Sequence, residues 1–276
     1  MAQTVEIGPA FGVVNYLGDL SGNALEATQY NVALGAQARY RLTPNWAVSL
    51  QVNGGTITGS DRYSGNRQRN LSVQTFIAES VAQVEYRPVQ FTLFDGRHVL
   101  APYVSAGVGG FYFNPRAELN GRYVALQPLG TEGQGMAGYA DPYRRVELAI
   151  PVGIGLEMRI NERSNIGFTT GFRKTFTDYI DDVSGAYPVR ADMMSADRKL
   201  AYELSYRTPE FRENAPMEMA GMRGNPDNAD NYIFALAQYT FTLGKSSGGT
   251  SKLDPRRAKG KPTGKLFYTP SPYYGF

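Results

Sequence analysis

Few residues in this chain could do chemistry. Its 276 residues include one histidine, His98, and no cysteine. Without thiols there is no disulfide framework, thiolate metal site or cysteine nucleophile, and one imidazole does not build a histidine metal centre or triad. His98 could act as the base of a lipid-cleaving barrel, but no serine is arranged to partner it, so no catalytic residue is assigned and the protein is read as a non-enzyme. The aspartates of Thr177-Asp178-Tyr179-Ile180-Asp181-Asp182 offer the hard oxygen ligands that calcium takes; the preferred reading is a rim cluster that shapes the loop behind it. Gly107-Val108-Gly109-Gly110 precedes no helix, which excludes a phosphate cradle. No metal or cofactor is expected.

The remaining candidates are charges, and their positions follow from the elements that carry them. From Val146 to Ile160 every second residue is apolar, with Glu147, Glu157 and Arg159 in the opposite phase. Such alternation marks a strand, here longer than the roughly 5–6 residues usual in soluble sheets and long enough to cross a bilayer. The same pattern recurs over Thr4–Tyr16, Tyr30–Leu42, from Trp46, over Ser72–Arg87, Pro102–Asn114, Asn165–Tyr179 and Asn231–Leu243. The reading is all-β: an eight-stranded antiparallel up-and-down transmembrane β-barrel over residues 1–244. Loops are long after odd strands, including Pro115–Tyr143 and Ile180–Asp230, and shorter after even ones, as in outer-membrane barrels. Nineteen tyrosines and fourteen phenylalanines suit aromatic girdles at the two interfaces. An eight-stranded lumen is just filled by side chains, and buried charges must pair. Glu6, Glu79, Glu85 and Glu157, matched in number by Arg39, Arg41, Arg159 and Arg173, are therefore expected to form a crossed network that plugs the lumen, which argues against an open porin. An even strand count places both termini in the periplasm, and a signal peptide is taken to have been removed.

The formal charge of +3 hides an asymmetry. Lys245 to Phe276 holds seven basic residues and one acid, so the barrel itself is net negative. This stretch, 245–276, is read as a flexible or partner-bound periplasmic tail. Its candidate contacts are Lys252, Arg256, Arg257, Lys259, Lys261 and Lys265 with the aromatic anchors Phe267, Tyr268, Tyr273, Tyr274 and Phe276; the plainer alternative is a tail whose charges touch lipid headgroups. No nucleic-acid module surrounds these charges, so no nucleic-acid partner is expected. The turn Thr43–Trp46 and the link Pro88–Leu100 complete the candidate periplasmic surface.

Four stretches together resemble the PorG-like outer-membrane proteins of Bacteroidetes: Glu6-Ile7-Gly8 through Asn15-Tyr16-Leu17-Gly18-Asp19-Leu20; Arg173 through Asp178-Tyr179-Ile180-Asp181-Asp182-Val183-Ser184; Arg223-Gly224-Asn225 through Asp230-Asn231-Tyr232; and Tyr239-Thr240-Phe241. That family more often has Asp-Trp-Tyr where Asp230-Asn231-Tyr232 stands, and the basic tail is not common to all members. The resemblance implies a component of the type IX secretion system, which also serves gliding motility in some species, joined to a periplasmic ring of PorK- and PorN-like subunits. The rival from the residues alone is a structural or adhesion barrel like OmpA or OmpX, binding ligands through its outer loops, with outer-membrane lipid and lipopolysaccharide as neighbours in either case.

Overall fold

The computed structural model describes residues 4–21, 29–93 and 98–243. Its strands are β1 (Thr4–Leu17), β2 (Asn31–Arg41), β3 (Trp46–Ser60), β4 (Ser72–Tyr86), β5 (Phe91–Thr92), β6 (Val99–Leu119), β7 (Arg122–Ala125), β8 (Val146–Arg159), β9 (Ser164–Thr175) and β10 (Asn231–Leu243). Three short helices, α1 (Arg190–Ser195), α2 (Lys199–Ser205) and α3 (Thr208–Phe211), lie between β9 and β10. All pairings between the barrel strands are antiparallel, in the order β4-β3-β2-β1-β10-β9-β8-β6. The pairing of β4 with β6, from Gln74↔Arg116 to Tyr86↔Val104, closes the ring at eight staves. β5 and β7 are short hairpin partners of β6 beyond the ring.

The alternation in the sequence becomes two faces. Phe11, Val32, Leu34, Leu50, Val52, Phe76, Val108, Val152, Ile154 and Phe168 all stand exposed around the outside. Trp46 and Tyr86 pair on this face at the end of the short turns, with ring centroids 4.6 Å apart. Their inward neighbours Glu6, Arg39, Gln51, Glu79, Gln83, Glu85, Glu157 and Arg173 are buried. This is the inverse of a soluble protein, in which large apolar side chains go inside. Among the described residues no helix is long and apolar enough to cross a membrane; the strands carry the apolar surface instead.

Three expectations change. β6 runs well past Asn114 to Leu119 and turns back through β7, so 115–143 is partly a hairpin. The long loop 176–230 folds into helices over the end of the barrel. β9 ends at Thr175 rather than Tyr179, so the Asp178 motif lies beyond the strand. The last two changes share a cause: loop apolar residues find a core to join. Ile180, Val183, Leu126 and Leu204 are buried with lumen-facing Val14, Ile57, Ile77, Phe111, Phe113 and Phe234 in one cluster.

An arginine on the outer belt would have to sit in hydrocarbon. Ile154→Arg, at a position that is 61% exposed, is expected to lower the unfolding free energy in lipid bilayers by about 2–4 kcal/mol. Urea titration read by mobility on unheated gels checks this; an unchanged midpoint would count against a lipid-facing belt.

Candidate functional site

The chemistry of this molecule is concentrated inside it, in two places. The first is at the short-turn end. Arg39 on β2 reaches across the ring to Glu157 on β8, four staves away, with Nη1 2.5 Å from Oε2. Its Nε lies 2.8 Å from Glu85 on β4, and Nη1 lies 3.3 Å from Glu6 on β1. Arg41 donates to Glu6 at 2.5 Å and also contacts Glu157. Arg87 closes the cluster on Glu85 at 2.6 Å and Glu157 at 3.5 Å. Three glutamates meet three arginines, and the Tyr103 ring lies 5.1 Å below the Arg87 guanidinium and 5.8 Å from that of Arg39. Higher up, Arg173 Nη2 pairs with Glu79 at 2.7 Å, and Glu79 also accepts from Asn53 at 2.8 Å and Tyr232 at 3.0 Å. The lumen is thus bridged by charge at two levels and filled by aromatic rings above.

The expected network is present with one exchange. Arg159, given to it by its alternation phase, is exposed at the end of β8; two residues past Glu157 it stands about 7 Å further along the strand, outside the lumen. Arg87 takes its place, in phase with Glu79 and Glu85 on β4 and therefore readable from the sequence. Removing one partner of a buried pair strands the other. Glu157→Gln, which leaves three arginines facing two glutamates, is expected to destabilise the barrel by about 3–5 kcal/mol, measured by chemical unfolding in detergent micelles. Equal stability would mean that the cluster is solvated.

The second place is under the loop cap, where the motif residues gather. Tyr16 Oη, at the top of β1, lies 2.5 Å from Asp181 Oδ2 and 2.9 Å from Asp230 Oδ1. Asp230 Oδ2 accepts the Ile180 amide at 2.9 Å and Asp181 Oδ1 the Val183 amide at 2.8 Å. A phenol has one hydrogen and can donate to one carboxylate only; the other contact requires a hydrogen from the carboxyl itself. Burial raises both Asp181 and Asp230, which favours a protonated carboxyl in the Asp181–Tyr16–Asp230 unit. Gly18 is required beside it, since a Cβ there would lie 1.9 Å from Asp230 Oδ1 and 2.1 Å from Tyr16 Oη.

Around this unit the motif fixes the cap. Asp182 accepts from Tyr143 at 2.7 Å and from Thr131. Arg223 Nη1 donates to Glu132 at 3.0 Å and to the Asp182 carbonyl. Glu132 also accepts the amides of Ser184 and Gly185, each at 3.0 Å. Asp19 Oδ2 accepts the Asn225 amide at 2.6 Å beside Gly224. Arg69 clamps Asp61 at 2.7 Å and donates to the carbonyls of Asp19 and Arg223. Tyr179 stacks on Tyr143 at 4.5 Å, and Tyr232 packs on Phe111 at 5.3 Å. Gly18, Asp19, Asp178, Tyr179, Asp181, Asp182, Arg223, Gly224, Asn225, Asp230 and Tyr232, spread over more than two hundred residues of sequence, thus converge on the top of the lumen. Asp181 and Asp182 are buried and fix the loop behind the strand, in keeping with a rim cluster that shapes it. Among the described residues no group of acids has the arrangement to hold a metal ion. Sequence reading passed over Asp61, Arg69, Thr131, Glu132 and Tyr143; the glycine-rich Gly130-Thr131-Glu132-Gly133 was the available signal, since Gly133 has φ +84°. The tail contacts Lys252 to Phe276 lie outside the described residues, as does part of the link Pro88–Leu100. His98 sits just before β6, at the short-turn end.

Acids outnumber arginines here, and burial raises Asp19, Asp178, Asp181, Asp182 and Asp230. Asp178 is pushed up to about 8 by burial, with Asp181, Asp19 and Glu132 adding to the rise. Burial takes Asp182 to about 6 against the Arg223 charge, and raises Asp181 and Asp230 as well. A carboxyl raised above its unfolded value of about 3.9 contributes stability that is complete below that value and is lost as pH rises through the folded value. Cap protection is therefore expected to fall as pH rises from about 4, where the unfolded carboxyls ionise, until Asp182 ionises in the folded cap at about 6 and Asp178 at about 8, and Asp230→Asn to flatten that dependence. Amide-exchange protection factors across 176–186 check this; a cap that tightens with rising pH would contradict the assignment.

A closed barrel with an apolar outside and a charged, filled inside is a membrane-spanning β-barrel of the outer-membrane type. The chain belongs to the family described as domain of unknown function DUF6089, which matches residues 1–198. No curated protein matches the chain. Among solved structures it is similar to the attachment invasion locus protein Ail of Yersinia pestis, crystallised with the heparin analogue sucrose octasulfate (10% identity, TM-score 0.37, covering 87% of this chain and 97% of Ail). It is also similar to Neisserial surface protein A (8%, 0.40, 87% and 96%) and to OprG of Pseudomonas aeruginosa (10%, 0.41, 88% and 97%).

Proposed function

We propose that the protein is a non-enzymatic outer-membrane anchor of the type IX secretion system, PorG-like, that holds the periplasmic ring or its associated subunits to the membrane. The observation that carries this reading is the lumen. Six charges cross-bridge its short-turn end, and a folded cap covers the other. A barrel filled in this way is suited to being held in lipid and grasped from one side, not to passing cargo. The convergence of the motif residues on one node supports the PorG-like resemblance, because dispersed stretches that build one structural unit form a coherent signature. In this reading both termini and the turns Thr43–Trp46 and Pro88–Leu100 face the periplasm, and the basic, aromatic tail is the tether to PorK- and PorN-like subunits. The adhesion-barrel reading keeps one observation in its favour: the outer loops form a built cap rather than loose connections.

Detergent pull-down of the full chain against a version ending at Lys245, with mass spectrometry of bound periplasmic proteins, tests the proposal. Ring subunits are expected with the full chain and at least tenfold depleted with the shortened one. Equal recovery by both would move the contact to the barrel turns. No ring subunit with either would overturn the anchor reading.

A further inference from the structure

A cleft of about 750 Å³ opens on the cap, between the β3–β4 loop and the stretch 187–223 of the long loop. Four arginines are among its lining residues, Arg62, Arg67, Arg69 and Arg223, and no acidic residue is. Two of the four are already engaged: Arg69 on Asp61 and Arg223 on Glu132. Arg62 and Arg67 are exposed and form no ion pair among the described residues. This local excess of positive charge stands out on a barrel whose sequence is net negative outside the tail.

The rest of the lining narrows the ligand. Tyr63 and Tyr187 are half-buried and border the cleft together with Met219 and Met222. Asn66 and Gln68 add side-chain amides, which both donate and accept. Guanidiniums match the oxygens of phosphate and sulfate in a planar fork. Aromatic faces suit the C–H face of a sugar ring, and amides suit its hydroxyls.

We infer that this cleft binds a phosphorylated or sulfated saccharide, with Arg62 and Arg67 taking the anionic group and the tyrosines flanking the ring. The saccharide could be carried by a lipid of the same membrane or belong to a glycan outside it; both present the same chemistry. The inference rests on the outward placement of the cap and is independent of any periplasmic ring.

The test is calorimetric titration of the full chain in phospholipid nanodiscs with a sulfated heparin-derived hexasaccharide and with its desulfated form. The sulfated probe is expected to bind, the desulfated one not, and the double variant Arg62→Ala/Arg67→Ala to bind at least tenfold more weakly. Unchanged mobility of the unheated protein on gels reports that the variant is folded. Arg67→Gln alone, at an exposed loop position, gives a smaller loss in the same direction and keeps the test open if the double variant misfolds. Repetition in nanodiscs containing lipopolysaccharide separates the sources: loss of hexasaccharide binding there identifies a lipid-borne sugar as occupant, and unchanged binding identifies an external glycan. Failure of the sulfated probe to bind in phospholipid discs would overturn the inference, as would equal binding of the desulfated probe or of the folded double variant.

Discussion

A β-sheet in hydrocarbon has to close on itself, because nothing there satisfies the backbone of an edge strand. The pairing of β4 with β6 is therefore the contact on which the rest of this structure depends. Closure at eight staves leaves a lumen only as wide as its side chains, and a lumen that narrow, lined with glutamate and arginine, must neutralise itself. Arg39 can reach Glu6, Glu85 and Glu157 at once because β1, β4 and β8 all bring a glutamate within the span of one arginine. In an open sheet no such meeting is possible.

The two ends of the lumen use different chemistry. At the short-turn end, charges of opposite sign balance within a ring of strands held by their own hydrogen bonds. At the other end, loops with no ladder of their own must be fixed over the opening, and this is done with carboxylates that accept backbone amides: Asp181 from Val183, Asp230 from Ile180, Glu132 from Ser184 and Gly185. Carboxylates are strong acceptors for such amides, but their number exceeds that of the arginines nearby. Burial raises the carboxyls beside Tyr16 and so favours their neutral form, which relieves the excess. The cap is thus the more conditional part of the molecule and the barrel the more permanent one.

What the sequence made legible follows from the same division. Period-two alternation reports which way a side chain points, so the belt, the inward glutamates and the number of staves could all be read from it. It does not report where a strand meets solvent, and Arg159 was misplaced for that reason while Arg87, equally in phase, was passed over. The cap was harder. The partners of Asp182 are Thr131, Tyr143 and Arg223, from two different loops, and no local pattern links residues joined only by tertiary contact. The motif stretches could be recognised as a set without their purpose being evident; the geometry shows that Gly18 clears space for Asp230 and that Asp19 caps Asn225.

The central claim is that the lumen is closed by its own side chains. The most direct measurement is single-channel recording of the purified full chain in a planar bilayer near neutral pH. The account predicts a silent membrane with the protein inserted, insertion being verified by recovering folded protein from the bilayer lipid. A steady stepwise conductance, surviving across voltages and preparations, would contradict it and make the barrel a pore.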